Sequence, residues 1–67
     1  MRREHIRKVK ELGLWVEGED EIAVLKCDAA VMAVARLNYS GTLPADDVIR
    51  ERILLAFADV DAGRDGV

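Results

Sequence analysis

Sixteen consecutive residues, 22–37, carry thirteen apolar side chains, interrupted by Lys26, Asp28 and Arg36 alone. In a chain of 67 residues this segment constrains the architecture more than any other feature. It is shorter than the ~20 residues a bilayer-spanning helix needs, so no membrane partner is expected. It is also rich in residues that favour helix, among them Ala23, Leu25, Ala29, Ala30, Met32, Ala33 and Ala35. It therefore reads as a helix, apolar on nearly every side. Ile22, Leu25, Ala29 and Met32 form one face, and Val24, Val31, Val34 and Ala35 form much of the other.

A chain this short buries only about 60% of the surface that its unfolded form exposes. Such cores normally need a disulfide, a structural metal or a partner. Cys27 is alone, so no disulfide closes within the chain. A structural zinc site takes about four Cys or His ligands, and Cys27 and His5 are the chain's full complement. No metal or other cofactor is expected. Self-association or a larger protein partner is left to supply the burial, in keeping with a hydrophobic fraction of 51%. The lone cysteine and the lack of a signal-peptide pattern point to a reducing, cytoplasmic setting.

Two shorter helices flank the apolar one. Residues 2–12 place Ile6, Val9 and Leu12 on a narrow stripe, with Glu4–Lys8 and Arg7–Glu11 as opposite-charge pairs and Gly13 as a stop. Leu14-Trp15-Val16 is a short apolar run. The central helix is expected over residues 20–38, with acids gathered at its start, where the helix dipole favours them. A rival reading pairs residues 12–16 with 22–26 as a β-hairpin around Gly18. The third helix is expected over residues 44–60, with Pro44 near its first position and Asp46 and Asp47 in its first turn. Its stripe is Ile49, Ile53, Ala56, Phe57 and Val60, with Leu54 beside it. The fold class is thus all-α: three helices, short, long and long, in a small bundle completed by oligomerisation. Residues 1–61 form one helical domain and residues 62–67 a flexible tail.

Charge is unevenly divided. Residues 1–10 carry five bases (Arg2, Arg3, Arg7, Lys8, Lys10) against the single acid Glu4, a balance of +4; the remaining residues carry five bases and twelve acids, a balance of −7. The basic head is suited to an acidic counterpart: the chain's own body, a second copy or nucleic acid. An overall charge of −3 and an acidic opening to the third helix weigh against nucleic acid as first choice.

The inventory for catalysis is thin. His5 is expected to be exposed on a charged terminal helix. Cys27 reads as a small buried hydrophobe, with Lys26 about 100° away around the helix. Asp28 shares a solvent-facing strip with Glu21; an inward Asp28 would need Arg36, Arg50 or Arg52 as partner. Residues 56–67 resemble the opening of an EF-hand, with Phe57 on the entering helix and Asp61, Asp65 and Gly66 at the first, fifth and sixth loop positions. Gly63 stands where the third ligand belongs, and the closing Glu is missing. Phosphate loops, nucleophile elbows and metal-spaced His or Cys pairs are all missing.

The sequence thus predicts a non-enzymatic protein–protein interaction or regulatory module (an adaptor, small subunit or inhibitor-like chain) acting as a homodimer, or else through a heterologous protein partner. Its expected interface is Trp15, Ile22, Leu25, Ala29, Met32, Val34, Leu54 and Phe57. The alternative is a nucleic-acid-binding regulator using Arg2, Arg3, Arg7, Lys8 and Lys10.

Overall fold

The computed structural model describes residues 3–16, 20–39 and 41–63. Arg2, the acidic residues 17 and 19, and residues 64–67 of the expected tail lie outside them. Within them are three helices and no strand: α1 (Arg3–Glu11), α2 (Glu21–Leu37) and α3 (Asp46–Asp61). The hairpin alternative for residues 12–26 is therefore not adopted. Residues 21–26 are the first turns of α2, and residues 14–16 pass along the core without pairing.

Local chemistry sets the helix ends. At the close of α1, Gly13 takes a left-handed φ of 70°. Its N–H donates to the Lys10 carbonyl at 2.9 Å, and the Leu14 N–H donates to the Val9 carbonyl at 3.2 Å. These are the two bonds of a Schellman motif, which caps carbonyls that have no partner within the helix. Nothing lies within 4 Å of where a Cβ would sit on Gly13, so an alanine there meets backbone strain alone. Gly13→Ala is expected to destabilise the chain by about 1 kcal/mol, lowering Tm by roughly 4–8 °C in a thermal melt. An unchanged Tm would show that the left-handed turn is dispensable.

Asp20 caps α2, its carboxylate accepting from the Ile22 N–H at 2.8 Å. The third helix starts two residues later than Pro44. Ala45 is extended (φ −61°, ψ 153°) and supplies no side-chain cap. Its carbonyl accepts from both the Val48 and Ile49 N–H groups at 3.1 Å. Asp47 also accepts from the Val48 N–H, at 3.0 Å, so an acid of the first turn does part of the capping.

The core is Val9 from α1, Ala30 and Val34 from α2, and Ile49 and Ile53 from α3, all fully buried. Leu12, Leu14, Trp15, Leu37 and Phe57 pack around it. A salt bridge at 3.0 Å joins Lys26, near the start of α2, to Asp61, at the end of α3. The two helices therefore run antiparallel as a bundle-like pair, and α1 packs across α2.

His5 departs from expectation. It is 1% exposed rather than on the surface. The inward stripe of α1 is His5, Val9 and Leu12, at spacings of four and three, while Ile6 is half-buried. Asn38 Nδ2 lies 3.1 Å from His5 Nε2, joining α1 to the end of α2. Cys27 is buried as expected, its thiol directed at the Val16 carbonyl.

Candidate interaction face

Among the described residues, one side of α2 is filled. Cys27, Ala30, Val31 and Val34 are buried, while Ile22, Leu25, Asp28 and Met32 on the opposite side are exposed. The reason is geometric. α3 and α1 both pack on one arc of α2, and two neighbours cannot enclose a helix that is apolar all round.

The uncovered side of α2 and the adjoining side of α3 form a groove of about 330 Å³, whose walls include Leu25, Ala29, Met32, Ala33 and Ala56. It continues between Arg36 of α2 and Arg52 and Leu55 of α3. Ala29, Ala33 and Ala56 keep the floor shallow, while Leu25, Met32 and Leu55 stand along the edges. Ile22, Met32 and Leu55 are 58%, 53% and 52% exposed. Each wall follows a seven-residue rhythm. On α2 the lining residues are Leu25, Ala29, Met32 and Arg36, with Ile22 in register before them; on α3 they are Arg52, Leu55 and Asp59. Spacings of three and four put a helix's side chains in one stripe suited to packing against further helices. The polar residues lining the groove (Asp28, Arg36, Arg52, Asp59) are all exposed, and a small-molecule site would instead bring buried polar groups together.

The residues expected at an interface are thus divided by the fold. Leu25, Ala29 and Met32 line the groove, and Ile22 continues their stripe. Val34 is inside the chain's own core, because α3 packs on its face of α2. Trp15 and Phe57 are half-buried against the same core. Leu54 is exposed beside the groove rather than in it, in a patch with Asp47, Arg50, Glu51 and Leu55, so that Leu55 borders both. Sequence reasoning missed Leu55, Arg52, Arg36 and Asp59 as groove residues. For Arg52, Leu55 and Asp59 the signal was the three-and-four spacing on α3, which is obscured by the stronger Ile49–Ile53 stripe, while Arg36 continues the α2 stripe one turn past Met32.

The basic segment is partly engaged within the chain. Lys8 forms a 2.5 Å salt bridge with Asp46. Lys10 Nζ sits 5.4 Å from the centre of the Trp15 ring, within cation–π range. Arg50 reaches back from α3 to donate to the Leu12 carbonyl at 2.6 Å. Arg3 and Arg7 are exposed. These links make α1 a strap held onto the α2–α3 pair by charge as well as by Val9.

Asp61, the first ligand of the EF-hand-like stretch, is engaged by Lys26. No group of three or more His, Cys, Asp or Glu side chains is placed to hold a metal among the described residues. Nor is any helix among them long and apolar enough to cross a membrane. Among the described residues, three helices pack together and leave an open groove, lined by apolar and charged side chains, between the two longer ones. No protein family, curated protein or solved structure matches this chain.

Proposed function

We propose that this chain is a protein–protein interaction or regulatory module that works as a homo-oligomer, docking through the α2–α3 groove. One observation carries the reading: Ile22, Leu25 and Met32 on α2 and Leu55 on α3 stand exposed at or beside the groove, while the fully buried core among the described residues is five side chains. Leaving large apolar side chains in water forgoes about 25 cal/mol for each Å² that could be covered, and contiguous apolar patches of this kind mark interaction sites. A non-catalytic role fits the placement of His5 and Cys27, which face inward onto Asn38 and the Val16 carbonyl. The pairing of Lys8 with Asp46 and of Lys10 with Trp15 favours a structural use of the basic segment over nucleic-acid binding.

Size-exclusion chromatography with light scattering tests the reading. The full chain is expected at twice its 7.4 kDa mass, and to stay there in 1 M salt because apolar burial, not charge, drives the association. A folded monomer at tens of micromolar would overturn the homo-oligomer.

A further inference from the structure

Charged and apolar side chains follow a fixed order along each wall of the groove. Lys26 and Asp61 fix the antiparallel register of α2 and α3. Counting two positions inward from each brings Asp28 opposite Asp59. Six positions inward, Met32 lies opposite Leu55. Beyond them come Arg36 and Arg52. On α2, Asp28 and Arg36 stand one turn to either side of the exposed Met32; on α3, Arg52 and Asp59 flank the exposed Leu55, and Arg36 and Asp59 line both parts of the groove. The spacing is matched on the two walls. Asp28 and Arg36 are about 12 Å apart along α2 and Arg52 and Asp59 about 10 Å apart along α3, at 1.5 Å per residue.

From this arrangement we infer that the occupant of the groove is a second copy of the same chain, related by a two-fold axis passing near Met32. The inference rests on the homo-oligomer reading and adds to it the face, the orientation and the register. A two-fold axis turns the partner's groove end for end. Asp28 of each copy then lies over Arg36 of the other, and Met32 meets Met32 across the axis. An unrelated partner would have to supply this charge order independently, whereas a two-fold copy supplies it automatically, because a self-complementary patch is what an isologous interface requires. Asp59 already has an interaction within its own chain, so Asp28 and Arg36, both exposed, carry the charge argument. The result is a four-helix arrangement with α2 and α3 of each copy at its centre, built on the seven-residue stripes of both walls. A standard interface covers about 800 Å² per partner, roughly a sixth of this chain's 4842 Å² surface.

Charge reversal with rescue, read by analytical ultracentrifugation of the full chain, tests the inference. Asp28→Arg alone places Arg over Arg twice in the dimer, and Arg36→Asp alone places Asp over Asp twice. Each is expected to weaken dimerisation on the order of tenfold to a hundredfold. The double variant Asp28→Arg/Arg36→Asp restores both pairs and is expected to return to within a few-fold of the unaltered chain. Met32→Asp, at the axis, is expected to abolish the dimer while leaving the helical circular dichroism intact, since Met32 is exposed in the single chain. If the unaltered chain dimerises but neither single reversal nor Met32→Asp weakens it, the dimer uses another face and this inference falls while the homo-oligomer reading stands. If the unaltered chain is a folded monomer, both fall. Single variants that weaken without rescue in the double would overturn the register.

Discussion

Ile53→Ala is expected to remove a large part of the stability of this chain. Native domains hold about 0.05–0.15 kcal/mol per residue, which for this length is roughly 3–10 kcal/mol. Truncating a fully buried isoleucine costs about 2–5 kcal/mol, from lost transfer energy and the cavity left behind. Ile53 belongs to the buried cluster with Val9, Ala30, Val34 and Ile49. Two of these neighbours are valines and one an alanine, all short side chains with little reach into the space left. The cost should therefore fall in the upper part of that range. The neighbouring Leu54 is 48% exposed, and Leu54→Ala is expected to cost about 0.5 kcal/mol, as a surface change does. Urea unfolding followed by Trp15 fluorescence, at one fixed protein concentration because association is linked to stability, measures both. Equal losses for Ile53→Ala and Leu54→Ala would mean that α3 does not turn Ile53 inward and Leu54 outward.

The second large effect is expected at His5. Its ring is buried and spans from α1 to the Asn38 side chain at the end of α2. With Asn38 donating through Nδ2, the ring carries its proton on Nδ1, and the Asn38 Oδ1 is left buried with no partner. Turning the amide over lets Oδ1 accept from a proton on Nε2 instead. In either orientation one hydrogen bond fastens the first helix to the second. His5→Ala leaves a cavity and an unsatisfied amide together, and is expected to destabilise by about 2–4 kcal/mol. Asn38→Ala removes the amide but keeps the ring, and is expected to cost about 1–2 kcal/mol. Because the two side chains share one bond, the double variant should cost less than the sum, by about 0.5–2 kcal/mol. Strict additivity in this double-mutant cycle would show that the two side chains do not interact.

The local signals in the sequence proved readable one by one. Gly13 ends α1 because a left-handed residue without a Cβ closes a Schellman motif, and Asp20 opens α2 because its carboxylate reaches the Ile22 N–H. The residues that do these jobs lie within a few positions of the groups they satisfy, so their effect is visible in the order of residues. Pro44 misled by two positions, since a proline suits a helix start without saying whether it stands inside or just ahead of it. His5 misled more, because its residue type suits surface and core equally. Its position four residues before Val9 acquires meaning only once α1 is laid on α2.

By itself the sequence determined that this protein is helical, roughly where its helices begin and end, and that α2 carries more apolar surface than two short neighbours can cover. Those conclusions rest on helix propensity, capping and periodicity, which act over a turn or two of chain. Only the tertiary structure decided which face of α2 is used up. Val34 went to the core and Met32 to the surface, although both are apolar residues on the same helix, because α3 and α1 share one arc of it. Only the tertiary structure, too, set the Lys26–Asp61 register that places Asp28 beside Asp59 and Arg36 near Arg52. Those pairs are separated by thirty-one and sixteen positions in the chain, and no local rule relates residues so far apart. The set of charges that line the groove arises from the antiparallel packing of two helices whose charges, read along either one alone, look like an ordinary solvated surface.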